Sequence, residues 1–567
     1  IIIVGTLDWV VIGIFFLALI GIIVWVVKQK QNDSADYFLG GRDATWLAIG
    51  ASIFASNIGS EHLIGLAGAG ASSGMAMAHW EIQGWMILIL GWVFVPFYSR
   101  SMVYTMPEFL ERRYNPQSRT ILSVISLISY VLTKVAVTVY AGGLVFQQVF
   151  GIKELWGIDF FWIAAIGLVV LTALYTIFGG MKSVLYTSVL QTPILLLGSL
   201  IILVLGFKEL GGWDEMMSIC SAVTVNEYGD TMTQLIRDNN DPNFPWLGAL
   251  VGSAIIGFWY WCTDQFIVQR VLSGKNEKEA RRGTIFGAYL KLLPVFLFLI
   301  PGMIAFALHQ KYIGAGGEGF LPLLANGTAN ADAAFPTLVA KLLPAGVKGL
   351  VVCGILAALM SSLASLFNSS AMLFTIDFYK RFKPETPEKK LVGIGQIATV
   401  VIVILGILWI PIMRSVGDVL YTYLQDVQSV LAPGIAAAFL LGICWKRTSA
   451  KGGMWGLIAG MIIGLTRLGA KVYYSNTAIT DSSMFKYLFY DLNWLFFCGW
   501  MFLFCIIVVI AVSLMTEAPS AEKIQGLVFG TSTPEQKAAT RASWNHWDII
   551  HTVIILAITA AFYWYFW

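Results

Sequence analysis

The chain has 567 residues, of which 57% are hydrophobic and only 12% are charged. Soluble globular proteins carry roughly 25% charged residues, so this chain lacks the polar surface that a water-soluble globule needs. The net charge of +3 gives no basic footprint for nucleic acid, and the six scattered cysteines form no CxxC pair. The composition therefore predicts a polytopic all-α membrane protein with no nucleic-acid partner, no zinc site and no disulfide framework.

Hydropathy predicts about fourteen membrane-spanning helices, because a span needs about 20 apolar residues. In chain order, spans 1–14 are 8–28, 45–73, 79–101, 119–149, 159–178, 183–207, 246–271, 283–309, 345–378, 391–413, 417–443, 451–470, 485–515 and 547–567. The first lacks a basic n-region and a small-residue cleavage site, so we interpret it as a retained helix rather than a signal peptide.

Charge in the connections predicts how the chain is oriented. Alternate connections carry more than twice as many Lys and Arg residues as the opposite set, from the Lys28–Arg42 loop onwards. Because basic residues concentrate on the cytoplasmic side, both termini are predicted to lie outside. The predicted regions are 1–44 (peripheral helix and inner loop), 45–207 (first repeat), 208–245 (outer loop), 246–443 (second repeat) and 444–567 (peripheral helices, with an inner linker at 516–546).

Span 2 carries an unusual cluster of polar residues at membrane depth. Asn57, Gly59 and His62 lie within eight positions that also contain two serines and a glutamate. A lipid-facing helix would not carry this set, because a buried charge costs roughly 2.5–3.5 kcal/mol. The pattern predicts a discontinuous helix whose freed carbonyls bind a hard cation. The alternative is a continuous polar helix whose side chains pair locally.

Span 9 offers a second set of oxygen atoms. Ala358, Ser361 and Ser362 are spaced i, i+3 and i+4, so one carbonyl and two hydroxyls can converge. Sodium accepts neutral oxygen ligands and needs no carboxylate. The alternative reading is that these small residues serve close helix packing, which is common in membranes.

Span 7 combines aromatic and polar residues in the run from Trp259 to Gln265. Flat aromatic rings suit the apolar face of a sugar, while charged and amide groups bind its hydroxyls. The candidates for those polar groups, each in a different span or position, are Asn57, His62, Glu81, Lys291 and Gln425. Alternatives are an interfacial aromatic belt, an inert buried histidine, and a Lys291 side chain that snorkels to the inner face. Lys134 also lies in a span, without an assigned partner.

No catalytic motif has support in the sequence. The pentad Gly70-Ala-Ser-Ser-Gly formally matches GxSxG, but a nucleophile elbow requires a strand-turn-helix context, and this pentad closes a membrane helix. HExxH, P-loop and paired-histidine motifs are absent from the sequence. An enzyme is therefore not predicted.

Several stretches together resemble the sodium/glucose cotransporter family, within the solute:sodium symporters, over nearly the whole chain. They are Ala55-Ser-Asn-Ile-Gly-Ser, Met106-Pro-Glu-Phe-Leu, Thr172-Ala-Leu-Tyr-Thr, Trp259-Tyr-Trp-Cys-Thr-Asp-Gln, Ile267-Val-Gln-Arg, Tyr289-Leu-Lys-Leu, Ala358-Leu-Met-Ser-Ser-Leu and Phe439-Leu-Leu-Gly-Ile-Cys-Trp-Lys-Arg. The resemblance implies a LeuT-type core of two five-helix inverted repeats, spans 2–6 and 7–11, with broken helices at spans 2 and 7.

The resemblance also implies roles for particular residues. Sodium would be coordinated by Ala55, Ile58, Ala358, Ser361 and Ser362. The sugar would be held by Asn57, His62, Glu81, Tyr260, Trp261, Lys291 and Gln425. The outer gate would be formed by Leu66, Trp80 and Tyr421, and the inner gate by Tyr260.

Four departures from the family pattern modify this expectation. The chain has Thr187-Ser188 where relatives carry a Thr-Asp pair, and Ala364-Ser365 where two-sodium members carry Thr-Ser. We therefore expect one sodium ion per transport cycle. Gly257 lacks the sugar-binding polar side chain of relatives, and Gln428 replaces a smaller residue, so the sugar pocket is reshaped.

The predicted function is sodium-coupled symport of a neutral hexose, such as glucose or galactose, by alternating access. The alternative is a symporter of the same fold for myo-inositol or for another small solute, such as a carboxylate or an amino acid. The expected partners are Na⁺, a small-molecule sugar and the lipid bilayer, and a monomer is compatible with this function. The expected location is the plasma membrane, or the inner membrane of a bacterium.

Overall fold

The structure is a computed structural model that describes residues 4–29, 32–59, 61–135, 138–139, 142–143, 146, 150–324, 326–416, 419–474 and 479–567. These residues are mostly helical. One hairpin interrupts the helices, with Glu154–Leu155 antiparallel to Ile158–Asp159. Its two turn residues, Trp156 and Gly157, have φ of 54° and 76°, the paired positive values of a tight hairpin turn.

The helices vary widely in length. The α-helices are Thr6–Lys28, Ser34–Leu39, Trp46–Asn57, Ala67–Ser72, Ala78–Glu81, Gly84–Ile89, Val95–Ser101, Met106–Arg113, Pro116–Ser129, Phe160–Leu210, Trp213–Ser221, Trp246–Phe258, Gln265–Leu272, Glu277–Lys291, Ile300–Gly314, Ala334–Leu342, Val347–Met372, Glu388–Val416, Val419–Cys444, Ala450–Tyr474, Met484–Lys486, Trp494–Met515, Ala521–Ile524, Pro534–Ala542 and His546–Tyr565. The π-helical segments are Glu61–Leu66, Leu90–Phe94, Tyr130–Val135, Trp259–Thr263, Val295–Leu299, Leu373–Lys380 and Tyr487–Asp491, and the 3₁₀ turns are Gly40–Arg42, Gly74–Met77 and Ala331–Ala333.

Within the described residues, ten helical stretches are long and apolar enough to cross a membrane. Two shorter apolar helices, Trp46–Asn57 and Gln428–Cys444, accompany them. The predicted number of fourteen spans therefore stays a prediction. Part of the difference arises because predicted spans 5 and 6 both lie in Phe160–Leu210, which counts as one of the ten stretches.

This stretch of 51 residues divides at Gly180. A straight helix of this length would extend roughly 76 Å at 1.5 Å per residue, far beyond a hydrocarbon core of about 30 Å. Gly180 has φ 60° and ψ −149°, and a Cβ at this position would lie 2.3 Å from the carbonyl oxygen of Tyr37. Only glycine fits this conformation and this close approach, so the chain turns between spans 5 and 6 at the predicted boundary.

Spans 2 and 7 are both broken helices, as predicted. In span 2, helix Trp46–Asn57 ends at the extended residue Ile58 (φ −77°, ψ 116°), and helical structure resumes at Glu61–Leu66. In span 7, the π-helical turn Trp259–Thr263 is followed by the extended residue Asp264 (φ −82°, ψ 130°). A break frees backbone carbonyls and N–H groups, which can then face a ligand.

Burial separates central helices from peripheral ones. In the most apolar stretch of Val347–Lys380, 89% of residues are buried, whereas the corresponding share is 22% for both Thr6–Lys28 and His546–Tyr565. These two outer helices present large apolar side chains outward, for example Leu17 and Trp564. Span 9 is therefore the centre of the bundle, and the terminal helices carry lipid-facing surfaces.

Candidate transport site

A cavity of about 420 Å³ lies between the two broken helices. Its wall includes six of the predicted substrate residues, among them the predicted inner gate Tyr260, and two further predicted gate residues: Asn57, His62, Glu81, Tyr260, Trp261, Lys291, Leu66 and Trp80. The remaining two predictions, Gln425 and Tyr421, lie outside the residues whose side chains the structure describes. Residues that are 234 positions apart in the sequence, Asn57 and Lys291, thus share one chamber.

Glu81 is the centre of a charged cluster in this wall. The Lys291 ammonium lies 2.7 Å from Glu81 Oε2, and His62 Nε2 lies 3.2 Å from the same oxygen. Lys291 is only 3% exposed, and its ammonium also lies 5.2 Å from the centroid of the Trp261 ring. Lys291 therefore does not snorkel to a surface. It faces the cavity with its charge compensated, as a buried cation must be.

The aromatic and amide groups of the cavity are arranged around this cluster. The Tyr260 and Trp261 rings meet edge to face, with centroids 4.9 Å apart and an interplanar angle of 89°. The Asn57 amide nitrogen is buried and has no hydrogen-bond partner among the described residues. A buried donor in this state favours a ligand that accepts hydrogen bonds.

The candidate sodium site lies where span 9 meets the break in span 2. The Ser362 hydroxyl donates a bifurcated hydrogen bond to the carbonyl oxygens of Ser56 and Ile58, each at 2.9 Å. A Cβ on Gly59 would lie 3.1 Å from Ser362 Oγ, so glycine allows this close approach. Three neutral oxygens thus converge within the protein. This donor set fits Na⁺, a hard cation that prefers oxygen ligands.

The other predicted sodium residues are close by, but their side chains differ in direction. Ala55 and Ala358 are buried on the same two helices. The Ser361 hydroxyl donates to the side-chain oxygen of Gln191 from span 6, a residue that the sequence analysis did not select. The structure therefore brings Ser362 and Ile58 together, while Ser361 points to the neighbouring helix.

Lys134, which had no assigned partner in the sequence, forms a buried ion pair with Asp264. Lys134 Nζ lies 3.0 Å from Asp264 Oδ2, and the Tyr130 hydroxyl donates to the other carboxylate oxygen. The Lys134 ammonium is also 5.1 Å from the ring centroids of Trp259 and Tyr260. Two opposite charges at membrane depth are expected to pair, and that signal was present in spans 4 and 7.

The end of the cavity at Trp80, a predicted outer-gate residue, contains aromatic residues that the sequence did not indicate. The Trp80 ring stacks on Trp494 with centroids 5.8 Å apart, and it meets Phe244 edge-on at 5.7 Å. Trp494 begins helix Trp494–Met515, which lies within predicted span 13, and Phe244 belongs to the predicted outer loop. Asp241 holds this loop by accepting hydrogen bonds from the backbone N–H groups of Asn243 (2.8 Å) and Phe244 (2.7 Å).

Comparison with known proteins identifies the family. Residues 37–460 match the model of the sodium:solute symporter family. This match covers about three quarters of the chain. The chain belongs to the sodium:solute symporter family.

Curated relatives of this symporter extend the match to almost the whole chain. It is 37% identical over 538 residues to the sodium/myo-inositol cotransporter 2 of Homo sapiens, covering 92% of this chain and 79% of that protein. It is also 37% identical to the sodium/glucose cotransporter 1 of Ovis aries, covering 90% and 79%. The mouse sodium/glucose cotransporter 4 is 36% identical, with 93% and 78% covered.

A solved structure supports the fold. The substrate-bound outward-open state of a Na⁺-coupled sialic acid symporter superposes with a TM-score of 0.74 at 22% identity, covering 91% of this chain and 99% of that one. The fold is of the LeuT type, as the sequence predicted. The protein is a multi-pass membrane transporter, not an enzyme, and Na⁺ is its coupling ion.

Proposed function

We propose that this symporter couples Na⁺ entry to uptake of a neutral hydroxylated ring, a hexose such as glucose or galactose. The observation that carries the proposal is the pairing of Lys291 with Glu81 at 2.7 Å beside Trp261. The wall thus combines an aromatic face with hydrogen-bonding groups whose charges compensate each other. This is the chemistry that recognises hydroxyls on a flat ring.

The charge balance of the wall argues against a carboxylate substrate. An anion would need a cation that is not already neutralised. Among the described lining residues, each ammonium has a carboxylate oxygen within 3.0 Å: Glu81 for Lys291 and Asp264 for Lys134. A neutral solute leaves both buried pairs intact, whereas an anion would compete with their carboxylates.

The second candidate substrate is myo-inositol. Two relatives that are each 37% identical to this chain are named for different solutes, one for glucose and the other for myo-inositol. Both solutes are six-membered rings bearing hydroxyls around their edge. The reshaping at Gly257 and Gln428, both of which line the cavity, bears on the choice between them.

In the proposed mechanism, the ion and the sugar share the break in span 2. Na⁺ would bind the carbonyls of Ala55, Ile58 and Ala358 and the hydroxyls of Ser361 and Ser362, with the Ser361 hydroxyl turning from Gln191 toward the ion. Fixing span 2 against span 9 would orient the neighbouring Asn57 and His62 toward the sugar. Coupling follows because a ligand shifts a conformational equilibrium by its differential affinity for the two states.

Gates on either side of the sugar would then alternate. Leu66, Trp80 and Tyr421 form the proposed outer gate, and Tyr260 forms the inner gate. The aromatic contacts of Trp80 with Trp494 and Phe244 support an outer closure. We further propose that 45–207 and 246–443 are the two repeats, that both termini face outward, and that one chain suffices for transport.

One sodium ion per cycle is the proposed stoichiometry. The Thr187 and Ser188 hydroxyls donate within their own helix, to Ser183 (2.6 Å) and Val184 (2.6 Å), and no carboxylate stands at these positions. One charge crossing 100 mV gives about 2.3 kcal/mol, and a tenfold sodium gradient adds about 1.4 kcal/mol. The sum of about 3.7 kcal/mol sustains a solute gradient of a few hundredfold.

Uptake into proteoliposomes tests the proposal. Radiolabelled glucose, galactose, myo-inositol, lactate and proline are supplied separately, with and without an inward sodium gradient. We expect sodium-driven accumulation of a hexose, with myo-inositol as the competing substrate, and none of lactate or proline. Sodium-driven uptake of lactate or proline with no ring solute would overturn the proposal.

A further inference from the structure

Gln83 lies in the cavity wall at a local break in span 3, between helices Ala78–Glu81 and Gly84–Ile89. It is 3% exposed and stands two residues after Glu81. Its backbone (φ −102°, ψ 27°) is not helical, and this turns its side chain away from the helix path of Glu81 toward span 7. A long amide at this depth is costly unless it is bonded.

Two hydrogen bonds to span 7 fix the orientation of the Gln83 amide. Its Nε2 donates to the carbonyl oxygen of Ser253 at 2.8 Å, and its Oε1 accepts from the indole Nε1 of Trp261 at 3.3 Å. Because a carbonyl only accepts and an indole N–H only donates, the amide cannot be flipped. These contacts use one of its two N–H groups and one of its two lone pairs, so one of each remains for a ligand.

Gly257 creates the space that this amide fills. A Cβ added at Gly257 would lie 2.8 Å from Gln83 Oε1, 2.9 Å from Nε2 and 3.0 Å from Cδ. Any side chain at this position would displace the amide. Gln83 and Gly257 therefore form a linked pair across the cavity wall, one contributing the polar group and the other the room for it.

Trp261 connects this pair to the charged cluster. Its indole N–H is held by Gln83, and its ring lies 5.2 Å below the Lys291 ammonium. Gln83 thus anchors the edge of the ring that the proposed function assigns to the sugar face. Its remaining N–H and lone pair suit a substrate hydroxyl, which can both donate and accept a hydrogen bond.

We propose that Gln83 is a specificity-determining residue that binds one hydroxyl of the substrate ring, in the wall space left by Gly257. The inference rests on the proposed function, because it requires a hydroxylated substrate. It goes further by naming a contact that discriminates between ring solutes. Removing a neutral hydrogen bond to a bound hydroxyl lowers the affinity for the substrate about three- to tenfold.

A deoxysugar series tests this contact. Glucose analogues that each lack one hydroxyl compete with uptake by the wild type and by Gln83→Ala. The affinity for glucose divided by the affinity for an analogue gives one discrimination ratio for each hydroxyl position. We expect Gln83→Ala to bind the parent sugar about three- to tenfold more weakly. We also expect it to lose discrimination at one position only, since the hydroxyl read by Gln83 no longer has a partner.

A purely structural role predicts a different pattern. If Gln83 only supports Trp261, Gln83→Ala weakens every analogue by the same factor and all ratios match the wild type. That parallel pattern overturns the inference. Absence of sodium-driven ring-solute uptake in the wild type instead overturns the proposed function itself, so the two failures are distinguishable.

The linked pair supplies a second readout. Gly257→Ser alone should displace the amide and reproduce the Gln83→Ala discrimination pattern. In the Gln83→Ala background the added side chain meets open space, so Gly257→Ser should cause little further change. Losses that multiply independently would contradict the linkage. Equal thermal stability of the variants in detergent shows that folding is retained.

Discussion

The hydroxyl of Ser362 lies 2.9 Å from the carbonyl oxygen of Ile58, joining the centre of span 9 to the break in span 2. No side chain intervenes, since Gly59 follows Ile58 and a Cβ there would already be 3.1 Å from Ser362 Oγ. At this point the two helices therefore meet through oxygen atoms rather than through apolar side chains. A cation that binds these oxygens holds the two helices together.

Ser362→Ala is expected to raise the half-saturating sodium concentration for transport about tenfold, which corresponds to about 1.4 kcal/mol of sodium binding free energy. The substitution removes one neutral ligand and leaves the two carbonyl oxygens in place. The measurement is the half-saturating sodium concentration for uptake at fixed solute. If the coupling proposal holds, apparent solute affinity at subsaturating sodium falls in parallel.

Ser370→Ala is the matched control for this substitution. Ser370 lies on the same helix, is fully buried, and its hydroxyl has no hydrogen-bond partner among the described residues. It undergoes the same loss of a hydroxyl two turns away. A similar shift in sodium dependence for both variants would show that the effect is not specific to the candidate site.

The Lys134–Asp264 pair is expected to stabilise the break in span 7. Removing one partner of a buried ion pair leaves an uncompensated charge, at a typical cost of 3–5 kcal/mol. We expect Lys134→Met to lower the melting temperature strongly and Asp264→Asn to do so as well. In the double variant neither charge remains, so it should be more stable than the sum of the two losses predicts.

Thermal unfolding in detergent, followed for all four members of this cycle, gives the coupling between the two residues. Asp264→Asn retains an oxygen that can accept from Tyr130, so the cycle isolates the charge of Asp264. Strictly additive melting-temperature losses would contradict the role assigned to the pair.

The residues of span 2 allowed prediction of its break because the cause is local, whereas the break in span 7 was expected only from the family resemblance. Polar side chains and glycine at membrane depth, around Asn57 and Gly59, conflict with a lipid-facing helix. The gap predicted between spans 5 and 6, residues 179–182, likewise contains the turn at Gly180. In each case a few adjacent residues contain the physical reason.

The sequence did not allow prediction of which neighbour each side chain meets. Spacing along span 9 placed Ser361 and Ser362 on one face, yet Ser361 bonds to Gln191 of span 6 while Ser362 bonds to span 2. Lys134 and Asp264 are 130 positions apart, and Gln83 bonds across to Trp261, 178 positions away. Such pairings depend on how the helices pack, which no local pattern encodes.

Asp241 is expected to keep the outer loop ordered over the cavity. Burial alone would raise its pKa, but hydrogen bonds from Asn226 and from the N–H groups of Phe244 and Asn243, with the Arg237 charge, lower it overall. Because the folded pKa lies below the unfolded value of about 3.9, this stabilisation is present at neutral pH. It is lost only as the pH falls through the folded value.

Hydrogen exchange at Asn243 and Phe244 measures this effect. We expect about tenfold faster exchange in Asp241→Ala and no change in the wild type between pH 5 and pH 8, after correction for intrinsic rates. Asp238→Ala is the control, since Asp238 bonds the N–H of Asn240 in the same loop but neither of these two amides. Equal exchange in the two variants would refute the role of Asp241.

Glu81→Gln tests the neutral character of the solute site. It leaves the buried Lys291 ammonium without its carboxylate, and the cavity then favours an anion. We expect glucose to stabilise this variant less than the wild type in thermal unfolding, and glucuronate, a ring of similar size with a carboxylate, to stabilise it where it does not stabilise the wild type.

The double variant Glu81→Gln, Lys291→Gln carries neither charge, so glucuronate should not stabilise it. That result would assign the stabilisation of Glu81→Gln by glucuronate to the unpaired Lys291 ammonium. Glucuronate that stabilises the wild type as strongly as Glu81→Gln would show that the wall already offers a cation to the solute. The pairing of Lys291 with Glu81 would then not determine which solutes bind.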